Sequence, residues 1–169
     1  NATDKQIIQM MLDRFDVVAM GQNLKERAAE IGYSPKEVVN VASLVEKEVK
    51  RDEDRAPAAG VIYNRLRRGQ PLELDSTATY AAQEFGRATL LQDREVESEY
   101  NTFKHTGLPP TPIDSPGEAA IHAALFPTKH SFIFFITVND CTNETVFTET
   151  LAEFNRAVAR RRADNPTSC

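Results

Sequence analysis

The sequence predicts an α+β fold, a mainly helical domain with a small antiparallel β element, on three observations. Apolar residues recur at helical spacing behind recognisable N-terminal caps. One aromatic and β-branched run, Ser131 to Val138, is followed across the turn Asn139 to Asn143 by a second short run, Glu144 to Thr148, as a hairpin requires. No internal repeat is present, so the helices and the hairpin form one mixed unit.

Thr3-Asp-Lys-Gln6 spells a capping box that opens a helix toward Met20, with Gly21 and Gly32 as breaks. Residues 1–34 are therefore set apart as a helical lead-in, and 35–169 as the functional domain. Ser34-Pro-Lys-Glu37 supplies an N-cap, a first-turn proline and a box-closing glutamate, which predicts a helix from about Pro35 to Lys50. Arg51 to Arg55 reads as a charged turn, and the next helix runs through Val61, Ile62, Arg65 and Leu66 to a stop at Gly69. Pro71 to Asp75 reads as a short strand, with Asp75 or Ser76 capping a helix over Thr77 to Phe85. Gly86 to Glu99 is expected as loop and short helix on the surface. Ser115-Pro-Gly-Glu118 opens a helix ending near Phe126-Pro127, Ser131 to Val138 reads as a buried strand, and a last amphipathic helix covers about Thr150 to Arg162.

At 169 residues, 41% hydrophobic and net −5, the chain can bury one core, and its acidic balance argues against a nucleic-acid partner. No run of apolar residues approaches a membrane span. Cys141 and Cys169 lack CxxC spacing, and His105, His122 and His130 form no HxxxH pair, so no metal or other cofactor is expected.

Projected at about 100° per residue, Val38, Ala42, Val45 and Val49 form the centre of a buried stripe, with Ser43, Lys47 and Lys50 facing water. Glu46 lies beside Val39 on one flank, and Glu48 beside Val41 and Leu44 on the other. An ionised carboxylate on an apolar flank must be paired or protonated, so the two glutamates are either internal ion pairs or acid/base groups. Helix geometry leaves both possibilities open.

Six ordered motifs then carry a resemblance: Ala42-Ser-Leu-Val-Glu-Lys-Glu48, Val61-Ile-Tyr-Asn-Arg-Leu66, Leu72-Glu-Leu-Asp-Ser-Thr77 through Tyr80, Tyr100-Asn-Thr-Phe103, Gly107-Leu-Pro-Pro-Thr-Pro-Ile113 and Pro116-Gly117. Together they resemble the YceG-like endolytic murein transglycosylases. The resemblance implies a membrane-anchored bacterial enzyme that cuts nascent peptidoglycan strands outside the cytoplasm, at the cell membrane, with the anchor absent from this chain. It also implies partners among cell-wall synthesis enzymes. The family's acid/base glutamate falls on Glu46, with Asn64, Asp75, Thr77, Tyr80, Tyr100, Asn101, Thr102 and Gly107 as the cleft around it. Three positions depart from the pattern: Asp75-Ser-Thr77 where Asp-Pro-Thr is common, Phe103 where tyrosine is common, and Phe154 where a histidine is common.

Lytic cleavage needs one acid/base, because the muramic acid 6-hydroxyl is itself the nucleophile and is already oriented. Glu46 is expected to serve both proton transfers, with Glu48 holding Arg65 or another cation near the site. Tyr80 and Tyr100 offer faces for sugar rings, and Asn101 and Thr102 offer amide and hydroxyl groups for N-acetyl and sugar hydroxyls. Asp75 either lines the cleft or caps the helix that follows it. Two other readings use the same residues: a glycoside hydrolase with Glu46 as acid and Asp75 as base, and a glycan-binding module in which Glu46 is a structural anion.

Overall fold

The structure, a computed structural model, describes residues 2–164. Among the described residues, seven α-helices and one two-stranded sheet follow each other as α1 (Asp4–Gly21), α2 (Leu24–Glu30), α3 (Pro35–Glu48), α4 (Asp52–Arg67), α5 (Asp75–Ala81), α6 (Glu118–Leu125), β1 (Phe134–Asn139), β2 (Glu144–Thr148) and α7 (Leu151–Asp164). A 3-10 turn, Leu91–Glu95, lies between α5 and α6. This is the mainly helical α+β architecture that the periodicity predicts.

The caps form as their residue types dictate. Thr3 and Gln6 exchange hydrogen bonds at the start of α1, as do Ser34 and Glu37 at the start of α3. The segment Arg51 to Arg55 is not a turn. It forms the first turn of α4, whose orphan N–H groups and positive dipole end favour Asp52, Glu53 and Asp54.

α3 is the central helix, packed against α2, α4, α5 and α6, with Val38, Val41, Ala42, Leu44 and Val45 fully buried. Ser43 is buried too, against the expectation that it faces water. Its hydroxyl donates to the Asn40 carbonyl at 2.7 Å and accepts from the Ile113 N–H at 3.2 Å, while Asn40 Nδ2 donates to the Pro109 carbonyl at 2.6 Å. Two polar side chains on an apolar helix thus pin the proline-rich loop, whose prolines have no N–H of their own to anchor it.

Behind α3, α4 passes His130 so closely that only glycine fits at position 60. A Cβ there would lie 2.5 Å from the Thr128 carbonyl oxygen and 2.6 Å from His130 Nε2. In the hairpin, Phe134 pairs with Thr148 and Phe135 with Phe147, and α7 packs across both strands. Its strands are half-buried rather than buried, because a two-stranded sheet covered by α7 leaves its other surfaces partly open to solvent. Pro71 to Asp75 makes no strand. Glu73 has φ +53°, which breaks the pleat, and only Pro71 bridges, to Thr106.

Candidate active site

α3 ends at Glu48, two residues earlier than expected, because Val49 turns to an extended conformation (φ −130°, ψ 139°). Glu48 therefore stands at the mouth of the helix, where two cavities meet. One, of ≈ 520 Å³, is lined by Lys47, Asp75, Ser76, Tyr80 and the loop Phe85 to Thr89. The other, a groove of ≈ 720 Å³, runs between the helical body and the hairpin with α7, past Lys50, Arg65, Arg94, Phe103, Phe134 and Phe154. Glu48 and Asp75 line both.

The Glu48 carboxyl has no ion-pair partner among the described residues. Its Oε1 accepts from the Ser76 N–H at 3.2 Å and the Ser76 hydroxyl at 2.5 Å. Burial pushes its pKa above the usual carboxylate range; the Ser76 donors act the other way, and the nearby Asp75 charge adds to the rise. The negative end of the α3 dipole also opposes charge there. Asp75 is half-exposed and paired with Arg94, whose Nε and terminal N–H reach its Oδ1 at 3.0 and 2.8 Å.

Glu46 has the opposite surroundings. Its Oε1 pairs with Arg55 at 3.3 Å and its Oε2 accepts from the Gly117 N–H at 3.0 Å, so the carboxylate ties α3 to α4 and to the start of α6. It lines neither cavity at Glu48.

The remaining expected site residues divide. Tyr80 lines the smaller cavity, and Tyr100 packs behind it at a ring distance of 4.9 Å with its hydroxyl bonded to Thr111 at 2.8 Å. Asn101 and Thr102 are buried and line neither cavity. Asn101 Nδ2 donates to the Arg94 and Val96 carbonyls at 3.0 and 2.8 Å, and its Oδ1 accepts from the Phe103 N–H at 3.1 Å. Thr102 Oγ1 accepts from the Leu74 N–H at 3.1 Å and lies 2.7 Å from Thr77 Oγ1, which donates to the Leu74 carbonyl. Thr77 is fully buried. Asn64 Nδ2 donates to the His130 and Phe132 carbonyls at 2.9 and 2.8 Å, and Gly107, at φ +90°, shapes a turn. These five hold the walls of the cleft without lining it. Nor does Glu48 hold Arg65, which instead pairs with Glu73 and donates to the Ile133, Pro71 and Leu72 carbonyls.

Sequence reasoning missed Ser76, Arg94, Phe103 and Phe134 as parts of the cleft. Ser76 and Phe103 were legible as departures from the common motif; Arg94 and Phe134 join them only through tertiary packing, with Arg94 stacked 4.7 Å above the Phe103 ring.

A half-buried carboxyl without an ion-pair partner among the described residues thus stands at the junction of two open cavities. The chain belongs to the YceG-like family, whose model matches residues 1–160. It is 42% identical over 120 residues to the endolytic murein transglycosylase of Bacillus subtilis, covering 71% of this chain and 33% of that protein. The endolytic murein transglycosylase of Streptococcus pneumoniae strain D39 is 35% identical over 148 residues, covering 83% of this chain and 26% of that protein. A crystal structure of a YceG-like protein from Listeria monocytogenes superposes with a TM-score of 0.84 at 35% identity, over 92% of this chain and 50% of that one. The chain thus spans a third or less of the length of these curated relatives.

Proposed function

We propose that this chain cleaves peptidoglycan glycan strands internally as a lytic transglycosylase, with Glu48 rather than Glu46 as its acid/base. The observation that carries the assignment is the Glu48 carboxyl, desolvated and without a cation, open to both cavities. An acid that must donate at neutral pH needs a raised proton affinity, which burial supplies. Glu46 is engaged by Arg55 and the Gly117 N–H and lines neither cavity.

In the reaction, Glu48 gives its proton to the oxygen linking N-acetylmuramic acid C1 to the N-acetylglucosamine 4-position, and that C1–O bond breaks. The muramic acid 6-hydroxyl oxygen closes on C1, and its proton passes to the Glu48 carboxylate. One carboxyl completes the cycle and no water is consumed. The groove offers Phe103, Phe134 and Phe154 to sugar faces, and Arg94 pairs with Asp75 beside the acid. Action outside the cytoplasm at the cell membrane, alongside cell-wall synthesis enzymes, belongs to the same proposal and rests on the family resemblance.

Digestion of purified glycan strands in heavy-oxygen water tests it. The expected products are unlabelled 1,6-anhydro-N-acetylmuramic acid ends, abolished in Glu48→Gln and retained in Glu46→Gln. Labelled reducing ends would make the protein a hydrolase, with Asp75 the candidate base. Loss of cleavage in a folded Glu46→Gln, with Glu48→Gln active, would return the acid/base role to Glu46. Strands of unchanged length with the wild-type protein would leave a glycan-binding module.

A further inference from the structure

Ser76 is the second residue of α5, directly after Asp75, and both of its donors converge on one oxygen of Glu48: the N–H at 3.2 Å and the hydroxyl at 2.5 Å. Proline, common at this position in the pattern described above, has neither donor. We infer that Ser76 is a positioning residue for the acid/base, an arrangement in which Oε1 is fixed as the acceptor and Oε2 carries the proton into the cleft. The inference rests on the assignment of Glu48.

In the neutral acid, Oε1 is the carbonyl oxygen and accepts from Ser76 without losing its proton site, so the proton resides on Oε2. Once the proton has left, the same two donors stabilise the charge that remains. Ser76 therefore favours proton release, against burial and the charge of Asp75, both of which favour retention. The other charges around the two cavities are largely tied to one another: Asp75 to Arg94, Lys47 to Asp114, Arg65 to Glu73, Arg87 to Asp93, and Arg161 to Asp140. Lys50 and Arg162 also line the groove as exposed cations. Among the side chains around Glu48, Ser76 alone hydrogen-bonds its carboxyl among the described residues.

The test compares wild type with Ser76→Ala and Ser76→Thr by two readouts. The first is the pH dependence of kcat on purified glycan strands. The second is a carbon-13 titration of the Glu48 carboxyl in the full chain, which needs no activity. Ser76→Ala removes the hydroxyl donor from the ionised form, so the Glu48 titration and the alkaline limb of kcat should both move up by about one pH unit. The plateau kcat should fall several-fold with KM held, and Ser76→Thr should restore both. A Ser76→Ala protein with an unshifted Glu48 titration and a wild-type kcat profile overturns the inference; if Glu48→Gln is inactive in the same assay, the acid/base reading survives that failure. A shifted titration with an unmoved kcat profile and an active Glu48→Gln overturns both.

Discussion

Two residues apart on one helix, Glu46 and Glu48 experience opposite electrostatics. Glu46 accepts one hydrogen bond from a backbone N–H and one from a guanidinium, whereas Glu48, among the described residues, accepts only from Ser76. Glu46→Gln should therefore cost about 1–3 kcal/mol of stability, since a charge-assisted bond is lost and Arg55, largely buried, is left with a weaker partner. Glu48 contributes the other way. Its folded-state pKa is raised, so its contribution to stability is full below the unfolded-state carboxylate value and is lost as pH rises through the folded value. Glu48→Gln keeps the acceptor for Ser76 and removes the group whose ionisation the fold opposes, so it should raise the melting temperature at pH 7, and that gain should vanish near pH 4. Thermal unfolding of the variant at the two pH values checks this. An equal gain at both would show that the gain does not arise from the raised proton affinity of the carboxyl.

At the scale of elements, the cleft wall is a loop that makes no regular structure from Gly107 to Ser115 and only a short 3-10 turn before that. Such a wall holds its shape only if its backbone groups find partners elsewhere. Asn101 supplies four of these bonds from beneath, Asn40 and Ser43 supply two from α3, and Thr102 fixes the Leu74 N–H before α5 begins. Asn101→Ala should accordingly lower stability by about 3–4 kcal/mol, at roughly 1 kcal/mol per bond lost. Chemical denaturation measures that loss. Tyr100→Ala should cost less stability, since its hydroxyl bonds only Thr111 at the surface and its ring lies half-buried beside Tyr80. A stable Asn101→Ala with impaired glycan binding would make the side chain a ligand contact after all.

Over the whole molecule, pH acts through two carboxyls shifted in opposite directions. Arg87 holds Asp93 by two parallel bonds of 2.7 and 2.9 Å, and the Leu90 N–H adds a third at 2.7 Å, bringing the Asp93 pKa down to about 2 from 3.8. A depressed carboxylate contributes stability that is present above its unfolded value and lost as pH falls through the folded one, here between about 4 and 2. Acid unfolding should therefore steepen in that window, and Asp93→Asn should flatten it while lowering stability at neutral pH. Because Glu48 withdraws stability toward higher pH, the two groups together favour a mildly acidic optimum. The cleft itself lies between the α3 to α5 body and the hairpin with α7, so its width depends on how those parts pack.

The helices were legible in the sequence wherever a local pattern encodes them: the boxes Thr3 to Gln6 and Ser34 to Glu37, the stripe through Val38 and Val45, and the hairpin on either side of Asn139 to Asn143. Each depends on contacts a few residues apart, which spacing alone can specify. The motifs likewise marked the stretch that bears the site, including both glutamates. Which carboxyl meets the cleft was not legible, because Glu46 and Glu48 sit on comparable apolar flanks and differ only in what α4, α5 and α6 bring to them. Arg55 and the Gly117 N–H arrive at one, and Ser76 at the other, from 9, 71 and 28 residues away. The inward turn of Asn101, Thr102 and Ser43 was hidden for the same reason. A polar side chain near a binding motif reads as a ligand group until tertiary packing shows that a buried backbone requires it as a partner.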